Sequence, residues 1–279
     1  MSPAVQHEPL IRVTIFLATL ALLLIIQRLW PARGDGRWSM RQLTNALLVV
    51  IDTLVLRLAF PVLTVVLAMQ VHGCGLFGAL AWPAWLEILV AVLIFDVAIY
   101  WQHRLFHIIP FFWRMHRVHH ADTAFDVTTG VRFHPFETTL SMGIKLGLVW
   151  LLAPHPLAVL IFEILLSAGS LFTHADFRFP PALDRRLRWL IVTPSMHRVH
   201  HSTWRPETDS NYGFHLSVWD RIFGSYTPAP RQDERSMPIG LDRFRSRREQ
   251  SLLQLLINPF RSRTDTDRHS ETNTGKDDA

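Results

Sequence analysis

The sequence predicts an all-α fold, a helical protein integral to a membrane, and three observations carry that prediction. The 279-residue chain is 49% hydrophobic with a mean hydropathy of +0.18 although 18% of it is charged, so the apolar residues must be gathered into runs. Such runs occupy residues 13–30, 43–71, 85–101 and 140–171. At about 1.5 Å per helical residue each can cross a hydrocarbon core of roughly 30 Å, and the last can cross it and return. The basic residues, thirdly, sit mostly in the connections between the runs.

The first run is preceded by Glu8 and Arg12 and closes on Gln27, Arg28, Leu29, Trp30 and Pro31, with no small-x-small cleavage site. It reads as a retained anchor rather than a removable signal peptide. Arg33, Arg37 and Arg41 separate the first two runs, and Arg104, Arg114, Arg117 and Arg132 follow the third, whereas the connectors 73–82 and 153–156 carry no Lys or Arg. By the positive-inside rule the basic loops are cytoplasmic and the bare ones external. The N-terminus is then outside, and residues 104–109 and everything from 173 onward face the cytoplasm. The expected location is the inner membrane of a bacterium.

Residues 1–80 therefore form an N-terminal transmembrane anchor region, and residues 261–279 a polar tail with too little apolar content to fold. Ahead of that tail, segment 244–260 mixes Arg245, Arg247 and Arg248 with Leu252, Leu253, Leu255, Leu256 and Ile257. This is the pattern of a basic amphipathic helix on a membrane surface or of a packed surface helix. The net charge of +5 is modest and placed in loops, so it informs topology and predicts no nucleic-acid partner. A single cysteine, Cys74, excludes an intramolecular disulfide framework and a cysteine-based metal cage.

Gly73, Gly75 and Gly78 fit a GxGxxG pattern with Asp96 downstream. A dinucleotide fingerprint needs a preceding strand and a βαβ unit, and this segment is instead a tight connector between two membrane helices. Glu87 and Lys145 lie inside or near apolar runs. Their positions near helix ends allow both to reach the interface by snorkelling.

Histidine carries the chemistry. Of 15 histidines, eight form three clusters beyond the ends of the apolar runs: His103 and His107, then His116, His119 and His120, then His197, His200 and His201. Residues three and four apart share a helix face, so each cluster can aim imidazoles at one point. A lone histidine is more often a satisfied interfacial imidazole, but packed neutral histidines have no reason to recur twice at i, i+3, i+4. Residues 115–120 and 196–201 are moreover the same hexapeptide, Met-His-Arg-Val-His-His, which would suit a pair of metals.

With HxxxH at His103 and His107, HxxHH at His116, His119 and His120, and HxxHH again at His197, His200 and His201, the chain resembles the fatty acid hydroxylase and sterol desaturase superfamily. Flanking residues carry the resemblance further. They are Asp96, Tyr100 and Trp101 before the first box, and Arg132, His134 and Glu137 after the second. Phe172, His174 and Asp176 lie between the boxes, and Asn211, Tyr212, Gly213, Trp219, Asp220, Arg221, Phe223 and Gly224 follow the third.

The resemblance implies a catalytic region over residues 81–260 and a cytoplasm-facing centre of two iron ions, with zinc as a possible substitute. The eight boxed histidines and His174 are the implied ligands. His134 is implied as a ligand, a support behind one or a wall of the substrate cavity, and Asn211 is grouped with these supporting positions. Asp96 and Asp220 are candidate acceptors for ligand ring N–H groups, unless each is salt-bridged to arginine. The implied activity is hydroxylation or desaturation of a membrane lipid with dioxygen, fed by a separate electron donor such as a ferredoxin or a cytochrome with its reductase.

A histidine-rich metal transporter or metal-binding protein is the alternative. A transporter should place its ligands near the bilayer midplane, whereas these clusters lie at or beyond helix ends. His155 and His174 are 19 positions apart, which on one helix at about 1.5 Å per residue nearly spans the hydrocarbon. His174 is expected at the metal and His155 in a replaceable external loop.

Overall fold

A computed structural model describes residues 3–34, 38–60 and 62–261. Arg37 of the first basic loop and the tail from residue 262 lie outside them. Among the described residues the chain is helical without a named strand, its only pairings being the isolated bridges Ile191 with Leu216 and Ser202 with Ile239. Four stretches are long and apolar enough to cross a membrane: Glu8–Leu29, Met40–Leu80, Ala84–Ile108 and Pro156–His174.

The second apolar run is not one helix. Met40–Ala59 starts from a capping box in which the Ser39 side chain accepts from the Arg41 N–H and its own N–H donates to the Gln42 side chain at 2.8 Å. It ends at Phe60, which leaves the α region at φ −126° and ψ 98°, as expected of a residue followed by proline. The chain becomes helical again at Thr64–Val71. The fourth run folds as an antiparallel pair, Pro135–Leu152 and Pro156–His174, turned at Ala153, which has a left-handed φ of 48°.

The core lies between Ala84–Ile108 and that pair. Ala91, Phe95 and Ile99 recur every four residues along one buried stripe, and Phe95 stacks on Phe162 with ring centroids 5.0 Å apart. The same stripe continues without interruption into His103 and His107, so the packing that fixes the helix also aims its two histidines. The outer faces are apolar and open, for example Leu10, Leu17, Leu22 and Ile25 of Glu8–Leu29, the inverse of a water-facing helix.

The connectors sort to two ends. His72 and His155 meet edge to face at 5.1 Å, and a Cβ on Gly75 would stand 2.7 Å from the Ala153 Cβ, so the two arginine-free turns pack on each other. At the other end the Ala32 N–H donates to the Asp176 carbonyl at 3.0 Å. The Asp176 carboxylate accepts from the Arg33 and Gly34 N–H groups at 3.1 and 3.2 Å.

Several expectations need correction. Lys145 does not snorkel: it is buried and its Nζ lies 2.9 Å from Glu163 Oε1. Glu87, also buried, sits 3.5 Å from His72 Nε2. In segment 244–260 only Leu252–Ile257 is α-helical, followed by the 3-10 turn Asn258–Phe260. Phe244 stands in the left-handed region at φ 59°, and the Arg245 Nη1 donates to the Ile239 and Leu241 carbonyls at 2.9 and 2.8 Å, so the arginine-rich half is a folded turn.

Candidate metal centre

Pro110 sets the site. Ile109, extended before that proline, ends Ala84–Ile108 and starts Pro110–His120, and the sharp turn lays His116 and His120 against His103 and His107. The third box occupies a shorter helix, Pro194–His200, capped by the Thr193 side chain, which accepts from the Met196 N–H at 3.3 Å.

All nine expected histidines converge, in two groups. His103, His107, His116, His120 and His200 form one, and His119, His174, His197 and His201 the other, with the potential ligand nitrogens of each group within 4.8 Å of one another. Every member is buried. Each HxxHH box is divided between the groups in the opposite sense: the second box sends its i and i+4 histidines to the first group and its i+3 to the second, and the third box reverses this. His174 completes the second group, to which the first box, His103 and His107, contributes nothing.

Ring orientation fits a bound cation. His103 donates its Nδ1–H to the Tyr212 carbonyl at 2.8 Å, His200 to Ser210 at 2.6 Å, His119 to Arg132 at 3.2 Å and His174 to Ser170 at 2.7 Å. His116 and His107 donate theirs to the carboxylates of Glu137 at 2.7 Å and Asp209 at 3.2 Å. With Nδ1 protonated, each Nε2 carries its lone pair inward. The Nε2 atoms of His103, His107, His116 and His200 accordingly have no hydrogen-bond partner although buried. His119 and His174 present two lone pairs to each other across 3.1 Å, a repulsion that a shared cation would convert into attraction.

Burial also keeps the rings neutral. It pushes the His116 imidazole down to about 3, and those of His119, His120, His197, His200 and His201 well below their ordinary value, with neighbouring imidazoles adding to the effect. Neutral, convergent imidazoles suit first-row divalent metals.

The remaining candidates stand outside both groups. His134 caps Pro135–Leu152 by accepting from the Phe136 N–H at 3.1 Å, while its Nε2–H donates to the Leu256 carbonyl at 3.0 Å. Asp96 does accept from an imidazole, but from His215 at 2.6 Å, and also from the Trp219 indole at 2.8 Å; no boxed histidine and no arginine pairs with it. Asp220 accepts from the Tyr212 and Gly213 N–H groups at 2.7 and 2.9 Å. Asn211, left-handed at φ 53°, donates to the Met196 and Thr227 carbonyls at 3.1 and 2.9 Å. Together Asn211 and Asp220 hold the backbone whose Ser210 and Tyr212 carbonyls orient His200 and His103. A side chain at Gly213 would collide with Asp220 Oδ2 at 2.7 Å.

The supports that sequence reasoning left without a role are Glu137 and Asp209. Glu137 lies three residues after His134 in a flanking motif, while nothing in the local pattern singles out Asp209. Beside the first group opens a cavity of about 270 Å³ whose wall includes His103, His116, Phe106, Phe133 and Phe214.

The sequence profile of the family Fatty acid hydroxylase matches residues 88–225, which hold every histidine of both groups. The chain belongs to the fatty acid hydroxylase family. It is similar to the ornithine lipid hydroxylase OlsE of Rhizobium tropici, 28% identical over 241 residues that cover 81% of this chain and 70% of that protein. To alkylglycerol monooxygenase of Xenopus tropicalis it is 32% identical over 147 residues, 53% of this chain but 31% of that protein. To cholesterol 25-hydroxylase of Rattus norvegicus it is 26% identical over 146 residues, 52% of this chain and 48% of that protein. The chain thus spans less than half the length of these last two family relatives. No solved structure matches it.

Proposed function

We propose that the protein is a membrane-bound, non-haem iron oxygenase that hydroxylates or desaturates a lipid, with the nine histidines as ligands to two iron ions. The observation that carries this reading is the convergence of nine buried, mostly Nε2-inward imidazoles into two adjoining groups. A structural zinc site closes with about four ligands, and the nine histidines found here, five in one group and four in the other, exceed what one such site needs. Iron held there supplies dioxygen activation and hydrogen abstraction from an unactivated C–H bond, redox chemistry for which zinc is inert.

This chain's own residues prepare that chemistry. The Tyr212, Ser210, Arg132 and Ser170 carbonyls lock four rings in the ligating tautomer, and the Glu137 and Asp209 carboxylates make His116 and His107 more basic donors. Phe106, Phe133 and Phe214 line the cavity next to His103 and His116, excluding bulk water from the place where a substrate C–H must lie. The catalytic region is residues 81–260, preceded by the anchor region 1–80, with residues 261–279 as a polar tail.

The arginine distribution supports a cytoplasmic face for the metal centre and an external N-terminus, in a bacterial inner membrane. Electrons come from a separate ferredoxin, or from a cytochrome with its reductase, docking on that basic face. The test is purification with quantitation of bound iron and zinc, together with lipid profiling of cells with and without the protein. Iron in the protein and a lipid that has gained oxygen or lost hydrogen are expected. An unchanged lipidome with a shift in cellular metal content would overturn this reading in favour of transport.

A further inference from the structure

The cavity beside the first histidine group has a wall that an acyl chain or a sterol ring does not explain. Asp52 of Met40–Ala59 lines it, is 7% exposed, and has a buried Oδ1 with no hydrogen-bond partner. Glu137, whose Oε1 is taken by His116, has a buried Oε2 without a partner, and so has the Oε1 of Gln102. Both residues line the same cavity. Three buried acceptor oxygens on residues that line one cavity therefore have no donor assigned to them.

Charge sharpens the point. Asp52 and Glu137 are two acids on the wall of one cavity. The lysine on the cavity wall does not relieve them, because Lys145 is held by Glu163 at 2.9 Å, and Glu163 in turn binds Arg12 at 2.9 Å and the Thr64 hydroxyl at 3.1 Å. A carboxylate in an apolar, membrane-embedded setting is costly unless a cation meets it, and such residues mark ligand sites. An ammonium group brings three N–H donors and one positive charge, matching three acceptors and the unpaired carboxylate. At about 270 Å³ the space falls just under the roughly 300–1,000 Å³ that encloses a drug-sized molecule.

We propose that this cavity receives the head group of a lipid bearing a primary ammonium, with Asp52 as its counter-ion and Gln102 and Glu137 as further acceptors. This inference rests on the oxygenase reading for its chemistry, and it places the reacting carbon in or near the head group, because His103 and His116 share the cavity wall.

The test uses the full, metal-loaded chain in phosphatidylcholine nanodiscs, titrated with octylammonium, octanol and octanoate, which share a tail and differ in head. Wild type should bind octylammonium roughly tenfold or more tightly than octanol, and octanoate weakest, as expected of a charge-assisted contact. Asp52→Asn should erase that preference at unchanged metal content, and Asp52→Glu should restore part of it. Equal affinities for the three probes in wild type, which need no variant to fold, would overturn the proposal, as would a preference that survives Asp52→Asn. Turnover separates the two readings. Oxygenation confined to amine-free lipids sinks the ammonium site and leaves the oxygenase, whereas Asp52-dependent octylammonium binding without any modified lipid sinks the oxygenase and leaves the site.

Discussion

The two copies of Met-His-Arg-Val-His-His form helices ending in the same three histidines, yet their surroundings differ. At residues 115–120 the hexapeptide ends an 11-residue helix, and at 196–201 it rides on a 7-residue one. His116 backs onto the Glu137 carboxylate, whereas the equivalent His197 has a buried Nδ1 with no partner. His119 and His200, the i+3 members, both donate to main-chain carbonyls. Arg198 is fully buried between Asp176 and Glu234, while Arg117 lies nearer the surface against Asn258 and the Arg261 carbonyl. Local sequence thus fixes which way each imidazole leaves the helix, and tertiary context decides what stands behind it. The outcome is a pair of groups alike in donors and unlike in charge: the first has two carboxylates behind its ligands and the second has neutral carbonyls.

The largest expected effect tests the division itself. His116→Ala, His120→Ala and His200→Ala should each deplete the first group, and His119→Ala, His174→Ala, His197→Ala and His201→Ala the second. All seven should lose turnover, and the metal-to-chain ratio by mass spectrometry should fall toward half. Two spectroscopically distinct remainders should appear, one per class. If His116→Ala and His119→Ala left the same residual metal signal, the crossed assignment would be wrong.

Next comes the charge difference. Glu137→Gln should lower metal affinity at the first group about 10–100-fold, the usual cost of removing a partner behind a ligating histidine. The second group should hold its metal through a chelator titration that strips the first. Equal loss from both would mean that Glu137 serves the fold rather than His116.

What the sequence disclosed follows the same boundary between local and tertiary. The boxes were legible because i, i+3 and i+4 fix direction on any helix, and His174 through the resemblance, which places a histidine between the second and third boxes. The turn near Ala153 was legible as the arginine-free connector 153–156 of a run long enough to cross the hydrocarbon and return. The crossing of each box between two groups was hidden, since it depends on how Pro110–His120 and Pro194–His200 dock. Asp96 was read as a support for a boxed histidine, but its partner is His215, 119 positions away. Asp209 carried no local signal, because a single acid in a loop resembles any solvated one until the fold buries it, whereas Asp52 stood inside the apolar run 43–71, where an ionisable residue is itself the signal.

The two arginines offer a stability comparison. Arg198→Ala would remove a buried guanidinium that meets Asp176, Glu234 and the Phe177 carbonyl, so a loss of about 3 kcal/mol is expected, at the lower edge for a broken buried ion pair. Arg117→Ala removes hydrogen bonds at a half-buried site, where about 1 kcal/mol is typical. Thermal unfolding in nanodiscs should rank them in that order. The reverse ranking would show that the third box is not the more tightly embedded one.

The smallest effects concern two histidines outside both groups that do the same local job at opposite ends of the molecule. His134 and His155 each begin a helix whose first residue is proline, and each accepts from the N–H two residues on, at 3.1 and 3.2 Å. Replacing a cap by alanine costs about 0.5–2 kcal/mol. His155→Ala should fall at the low end, because its ring is partly open beside His72 and makes one such bond. His134→Ala should cost more, since it also strands the Leu256 carbonyl and loosens the helix that carries Glu137. Neither should change the metal-to-chain ratio. His155→Ala should retain full turnover, and His134→Ala should lose turnover only as far as Glu137 shifts. Loss of metal in His155→Ala with His174→Ala unaffected would reverse the orientation of the whole 135–174 pair and remove His174 from the second group.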